Sequence, residues 1–166
     1  MTERTLVLLR HSKADRPTGM ADIDRPLTER GHADAAAAGV WLARHGYRPD
    51  LVICSPSKRT RQTWHGISVA LAERAAPEVH YDELVYDGAA ADLLGLTKAA
   101  GPEVKTVLMI GHNPSISLLS AVLDPAADGD SDGLRTSGLA VHRVKGDWSD
   151  LRAGSAAMTD THTARG

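Results

Sequence analysis

Short apolar runs of strand length alternate along this chain with longer segments whose apolar residues recur at helical spacing. The runs are TLVLL at 5–9, LVIC at 51–54, TVLMI at 106–110 and LAVHRV at 139–144, with a short fifth, VHY, at 79–81. Alternation of this kind produces parallel strands joined by right-handed helical crossovers, with helices on both faces of the sheet. The chain is therefore predicted to be an α/β protein with a single-domain three-layer α/β/α fold and a mostly parallel central sheet.

The segments between the apolar runs carry the signals of helix starts and ends. Thr28 is a capping residue at the start of one helical segment, and Gly46 ends that segment. The segment 56–76 also has apolar residues at helical spacing, which predicts a second helix. Further helices are predicted near 89–99 and at 114–123, a final strand near 153–160, and a frayed end over 161–166.

Length and charge exclude several classes of protein. The 166 residues suit one domain covering 1–166, and the net charge of −2 offers no general attraction to nucleic acid or to an anionic membrane. No apolar segment approaches the roughly 18 residues of a membrane span, and the first apolar run is too short for a secretory signal. The single cysteine, Cys54, cannot form an intramolecular disulfide, which favours a reducing compartment. We expect a cytoplasmic monomer without nucleic-acid or membrane partners.

Polar residues follow the predicted strands, where open α/β sheets bind their ligands. Arg10 and His11 follow the first strand, and the segment SPSKRTRQT at 55–63 follows the second. Cations in the first turn of a helix are disfavoured by the helix dipole, by about 0.3–1 kcal/mol each, and a bound anion reverses the sign. We therefore interpret Arg59 as an anion ligand, and Lys58 and Arg61 as a solvated basic face.

Residues typical of helix starts explain part of the two polar segments, and those residues need no functional role. Ser55 as N-cap with Pro56 as first helical residue would begin one helix, and Asn113 with Pro114 would begin another. His112, in GHNP, is not explained in this way. It stands at the end of a buried strand beside the amides of a helix start, so we interpret it as a candidate phosphate ligand.

Five motifs resemble those of the histidine phosphatase superfamily, the group related to cofactor-dependent phosphoglycerate mutase. They are LLRHSKAD, DRPLTERG, SPSKRTRQT, DEL and IGHNPS, and the resemblance runs from residue 5 to about residue 144. In size and pattern the chain is most similar to the SixA-like phosphohistidine phosphatases. The resemblance implies a phosphoglycerate mutase-like fold and a nucleophilic His11 that forms a phosphohistidine intermediate. It implies phosphate ligands at Arg10, Arg59 and His112, a catalytic role for His112, and no metal or cofactor.

Two positions qualify the resemblance. Glu83 matches the family's proton donor for the leaving group, a role that needs a raised pKa, but it also fits a surface acid. Ser12 follows the nucleophile where many members have Gly, so the resemblance does not determine which group orients the His11 ring. Arg25 could reach the phosphate or lie on the rim.

The spacing of the motifs bears on the substrate. Only 29 residues separate Glu83 from His112, which leaves no room for the long insertion that encloses the substrate in the related mutases. An open site favours a phosphatase that acts on a phosphohistidine protein or on another phosphomonoester.

Two other functions remain open at this stage. A phosphate-binding or phosphoprotein-binding module could keep the same pocket without turnover, and a metal-dependent hydrolase is a further alternative. The acidic segment 128–133 begins like a calcium loop, but the twelfth position is Leu139 instead of the bidentate Glu. We therefore interpret that segment as a solvated loop.

Overall fold

Six strands form one sheet in the part of the chain that the computed structural model describes, residues 3–127 and 132–166. They are β1 (Glu3–Arg10), β2 (Leu51–Cys54), β3 (Glu78–Tyr81), β4 (Thr106–Gly111), β5 (Gly138–Lys145) and β6 (Ala156–Thr163). Their order across the sheet is β3-β2-β4-β1-β5-β6. The first four in this order run parallel, and β5 and β6 add an antiparallel edge. The sheet is mixed but mostly parallel, as predicted.

Five α-helices cover the two faces of this sheet in the described residues, and two short 3-10 helices occur at Asp22–Asp24 and Trp148–Asp150. The α-helices are α1 (Glu29–Arg44), α2 (Lys58–Ala70), α3 (Glu83–Asp87), α4 (Ala90–Lys98) and α5 (Ser115–Leu123). Successive side chains of β1 point to opposite faces, so Leu6 and Leu8 pack in the core under α4 and α5, and Val7 and Leu9 pack under α1 and α2. Burying each such side chain contributes about 2 kcal/mol. The three-layer α/β/α architecture is confirmed.

Strand register places the polar residues predicted for the site at one edge. In the parallel pair β1–β4, Arg10 lies opposite Gly111, and in the pair β2–β4, Cys54 lies opposite Ile110. The residues that follow these three strands therefore meet beyond the carboxyl end of the sheet.

The predicted starts of two helices are wrong by one or two residues. The N-cap of α2 is Ser57, whose hydroxyl accepts from the Thr60 amide, so Ser55 and Pro56 precede the cap. The cap of α5 is Pro114, and its helix begins at Ser115. In both cases the expected cap has another partner: Ser55 is hydrogen-bonded to His112, and the Asn113 amide donates to the carbonyl of Leu134.

The carboxyl end of the chain is ordered, in contrast to the frayed end expected over 161–166. The last strand extends to Thr163, and Ala164 is fully buried. The amide of Gly166 donates to Asp34 Oδ1 at 2.9 Å. Pairing with β5 and this contact to α1 hold the segment.

Two further expectations from the sequence are the solvated acidic loop and the absence of a membrane span. Residues 128–131 of the acidic segment lie outside the described residues. Among the helices in the described ranges, none is both long and apolar enough to cross a bilayer.

Candidate active site

The carboxyl ends of β1, β2 and β4 bring three of the predicted site residues together. The His11 amide donates to the Gly111 carbonyl at 3.1 Å, which fixes the end of β1 beside the end of β4. The ring centroids of His11 and His112 are 5.2 Å apart. Arg59, on the first turn of α2, reaches the same place, with its Nη2 3.3 Å from Nδ1 of His112.

His11 is held as a neutral imidazole with one defined tautomer. Its Nδ1 lies 2.7 Å from the carbonyl oxygen of Ser12. A carbonyl can only accept, so Nδ1 carries the proton and the lone pair is on Nε2. Burial lowers the pKa of His11 to about 4, and the positive charges of Arg59, Arg10 and Arg25 act in the same direction, opposed by the Ser12 hydrogen bond. Near neutral pH the ring therefore presents an unprotonated nitrogen that is suited to nucleophilic attack.

His112 has the opposite tautomer. Its Nδ1 faces the Arg59 guanidinium, which can only donate, so Nδ1 accepts and the proton is on Nε2. That Nε2–H donates to the Ser55 hydroxyl at 2.8 Å. Burial lowers the pKa of His112 to about 3, with further contributions from His11 and Arg59.

Arg10 and Arg59 each keep a buried N–H group without a hydrogen-bond partner among the described residues. On both side chains the unpaired atom is Nε. Arg10 donates from Nη1 to the Leu134 carbonyl at 3.1 Å, and Arg59 donates from Nη1 to the Asp22 carbonyl at 2.7 Å. A buried donor without an acceptor costs about 1–3 kcal/mol. Such atoms also occur on Arg4 and Arg48, which are not site residues. What suits Arg10 and Arg59 to phosphate oxygens is the planar fork of donors that each guanidinium group has, together with their positive charges near His11.

A carboxylate that the sequence reasoning missed, Asp22, completes the site. It accepts from Arg59 Nη2 and Arg25 Nη1, both at 3.0 Å, and from the Tyr86 hydroxyl at 2.6 Å. The hydrogen bond from Tyr86, followed by those from Arg25 and Arg59, holds the pKa of Asp22 well below its usual range. The Tyr86 ring lies edge-on to His112 at 5.5 Å. Asp22 is thus a permanent anion that holds Arg59 in place from one side.

Arg25 belongs to this network, with its side chain 12% exposed. It donates from Nε to the Asp15 carbonyl at 2.8 Å as well as to Asp22. Nothing in the local sequence pairs Asp22 with a helix that begins 36 residues later. The one available signal is a charged cluster, DIDR at 22–25, which overlaps the start of the DRPLTERG motif.

Glu83 lies at the first position of α3 and is exposed, without a hydrogen bond or ion pair to any described residue. Tyr86, one turn further along the same helix, contacts Asp22 and His112. Its role as proton donor stays a prediction. Lys58 and Arg61 are exposed, as expected for a solvated basic face.

Ser12 and Cys54 are both buried. Burial raises the pKa of the Cys54 thiol to about 12, which makes this strand residue inert as a nucleophile. Ser12 donates from its amide to Thr63 Oγ1 at 3.0 Å, and its hydroxyl is bonded to that of Ser137. Over residues 3–127 and 132–166, no three His, Cys, Asp or Glu side chains are grouped as a metal site requires.

Comparison with known proteins gives consistent matches. Residues 6–104 match the family model of the histidine phosphatase superfamily, branch 1. An uncharacterized protein of Mycobacterium tuberculosis is 36% identical over 164 residues, which cover 95% of this chain and 100% of that one. A structure from Nakamurella multipartitia, assigned as the phosphohistidine phosphatase SixA, is 32% identical with a TM-score of 0.81, covering 99% of this chain and 98% of its own. A structure from Agrobacterium tumefaciens with the same assignment is 29% identical with a TM-score of 0.78, covering 96% and 97%.

Proposed function

The chain belongs to the histidine phosphatase superfamily, and from that premise we propose that it hydrolyses phosphohistidine on a protein through a phosphohistidine intermediate on His11. The enzyme class follows from the family model and from the two similar structures. The proposal adds the substrate and the roles of the individual residues. A cytoplasmic location and a monomeric state stay predictions of the sequence.

The ionised state of Asp22 carries the choice of substrate. The carboxylate bonded inside the site has a pKa held far below neutral, so it cannot give a proton to a leaving group. An alkoxide leaving group needs such a proton, but an imidazole protonated at its second nitrogen departs as a neutral ring. Since Asp22 does not supply that proton, a substrate whose leaving group needs no acid, such as phosphohistidine, suits this part of the site better than a phosphate ester.

The reaction has two displacements at phosphorus. First, the Nε2 lone pair of His11 attacks, the P–N bond of the substrate histidine breaks, and that histidine leaves as neutral imidazole. Second, water attacks the phosphorus on His11, the new P–N bond breaks, and orthophosphate leaves as a water proton passes to solvent. In both steps Arg10 and Arg59 stabilise the charge on the phosphoryl oxygens.

A rapid-quench experiment with a histidine-phosphorylated protein as donor tests this function. We expect acid-labile, alkali-stable label on His11, release of orthophosphate, and loss of both in His11→Ala. His65→Ala is the matched control, because His65 is exposed on α2 and is not among the buried residues of that helix. Label on His11→Ala would contradict the mechanism, and tight phosphate binding without turnover by the wild type would favour the binding-module alternative.

Hydrolysis of phosphomonoesters with Glu83 as proton donor is the second candidate. Its support is the match of Glu83 to the proton donor of the family, together with its place on α3, one turn before Tyr86. Glu83→Gln separates the two substrates: it should slow hydrolysis of an alkyl phosphate severalfold and leave phosphohistidine hydrolysis unchanged. A chelator should change neither activity, and loss of activity on chelation would favour the metal-dependent alternative.

A further inference from the structure

Ser137, directly before β5, has an unusual backbone conformation at a buried position. Its φ is 59°, and in the described residues it is the one non-glycine residue with a positive φ. This left-handed region is unfavourable for a residue with a Cβ, and such residues persist where surrounding contacts require them. The side chain is fully buried.

The contacts of Ser137 converge on the end of β1. Its amide is shared between the carbonyls of Arg10, at 3.2 Å, and His11, at 3.1 Å. Its hydroxyl is hydrogen-bonded to the Ser12 hydroxyl. Its own carbonyl accepts from the Ala164 amide at 3.0 Å, which ties the cluster to the end of the chain. Ser137 thus binds three consecutive residues around the nucleophile.

Ser12 connects Ser137 to the His11 ring through its hydrogen bonds. Its amide donates to Thr63 Oγ1 at 3.0 Å, its hydroxyl pairs with Ser137, and its carbonyl accepts from Nδ1 of His11 at 2.7 Å. Thr63 is held in turn by donating to the Arg59 carbonyl at 2.7 Å. Because every polar group of Ser12 is paired, its peptide has one orientation, and the carbonyl that defines the His11 tautomer is fixed.

We propose that Ser137 is a positioning residue for the nucleophile: through Ser12 it fixes the carbonyl that keeps the His11 proton on Nδ1 and the lone pair on Nε2. The inference rests on the proposed function, because it assigns Ser137 to the reaction at His11. It also accounts for a serine at position 12, since the Ser137 hydroxyl satisfies a side chain that a glycine would lack.

Three variants test this role. Ser137→Gly removes the hydroxyl and keeps a residue that tolerates the positive φ, so it is expected to fold. Ser12→Ala removes the other half of the same bond, and the double variant removes both halves. Thermal unfolding of each variant checks the fold independently.

Two measurements report on the His11 ring. The ¹⁵N spectrum of the imidazole shows which ring nitrogen carries the proton, and single-turnover labelling gives the rate of His11 phosphorylation. We expect the wild type to have its proton on Nδ1 and each single variant to show a mixture of tautomers. We expect the labelling rate to fall about tenfold, within what a small misplacement of a reacting group costs, with KM unchanged.

The double variant decides whether the two serines act as one unit. Because the single changes remove the same hydrogen bond, the double variant should be no slower than the slower single one. A double variant slowed by the product of the two single effects, or a Ser137→Gly protein with wild-type spectrum and rate, would overturn the proposal. The spectrum needs no turnover, so a wild type that takes no label would refute the proposed function while this test still stands.

Discussion

At the scale of single residues, the site combines two histidines that burial keeps neutral and that carry their one ring proton on different nitrogen atoms. His11 has its proton on Nδ1, and His112 has its proton on Nε2, because one faces a carbonyl and the other a guanidinium. The first arrangement leaves Nε2 of His11 for attack on phosphorus. The second leaves Nδ1 of His112 as an acceptor, which must gain a proton before it can donate to a phosphate oxygen.

Anion binding should therefore take up protons, which gives a first prediction. Sulfate is a suitable probe because it stays fully ionised between pH 7 and pH 5. A bound dianion raises the lowered pKa values of His112 and His11, so sulfate affinity should rise as the pH falls, approaching tenfold per pH unit for each proton taken up. Calorimetric titration across this range measures it. His112→Gln should show a shallower dependence, and an affinity that is flat with pH in the wild type would contradict the argument.

Asp22 gives a second prediction, because it holds Arg59 and also opposes the positive charge of the site. Asp22→Asn keeps the size of the side chain and removes the charge. Sulfate should bind severalfold more tightly, since a nearby negative charge is gone, but phosphorylation of His11 should slow, since Arg59 loses its charged partner.

Tyr86→Phe is the control for this prediction. It removes one hydrogen bond to the carboxylate and keeps the charge, so sulfate affinity should stay within about twofold of the wild type. Equal affinities of Asp22→Asn and wild type would show that the carboxylate does not affect the anion.

At the scale of secondary-structure elements, the close packing of α1 on α2 depends on two glycines. A Cβ on Gly39 would lie 2.6 Å from the Ile67 carbonyl oxygen, and one on Gly66 would lie 2.8 Å from the Ala35 Cβ. Such distances are shorter than a real contact, so glycine at these positions lets the two helices approach. This contact fixes the position of α2, and Arg59 lies on the first turn of that helix.

Gly39→Ala should therefore destabilise the fold, by about 1–3 kcal/mol, because the added methyl group meets a backbone oxygen that cannot rotate away. Urea denaturation measures the free energy of unfolding. Gly95→Ala is the matched control: in α4 a Cβ at Gly95 meets nothing within 4 Å. The same change there should stabilise the helix by about 0.5–1 kcal/mol. Equal effects at the two positions would rule out the steric explanation.

Elements that depend on local pattern were predictable, and those that depend on distant contacts were not. The strand at 51–54 has the predicted bounds, and the other central strands differ by a few residues. The cap positions were wrong because Ser55 and Asn113 are engaged with residues far along the chain. The antiparallel direction of β5 was not predictable either, because α5 lies between β4 and β5 and gives the same strand–helix–strand pattern as a parallel crossover. Asp22 and Ser137 act through contacts that span 37 and 125 residues, without a local signal.

At the scale of the whole molecule, a net charge of −2 coexists with a strongly positive site. The charges of Arg10, Arg25 and Arg59 converge at the carboxyl edge of the sheet, where they lower the pKa of His11. The fold thus concentrates positive charge locally, and an overall charge count does not indicate it. The sequence motifs indicated Arg10, His11, Arg59 and His112 by position, and the strand register explains why they lie at one edge of the sheet. Their binding of phosphate stays a prediction.

The buried neutral histidines make the whole protein sensitive to acid. His11 and His112 have pKa values lowered to about 4 and about 3, and burial also lowers the pKa of His142. In the unfolded chain these rings titrate near pH 6.5, as a rough reference value. Between that pH and the folded pKa values, the unfolded state binds protons that the folded state does not. The free energy of unfolding therefore falls as the pH is lowered, by about 1.4 kcal/mol per pH unit for each histidine.

Urea denaturation at pH 7.5, 6 and 5 tests this sensitivity. The wild type should lose stability steeply below about pH 6.5, where the unfolded histidines begin to take up protons. In His112→Gln the free energy of unfolding should fall less steeply with pH, by the contribution of one histidine, because glutamine does not titrate. His65→Gln should leave the slope unchanged, because His65 is exposed on α2. If His112→Gln and the wild type lose stability at the same rate, His112 is not the buried neutral group that its contacts with Ser55 and Arg59 require.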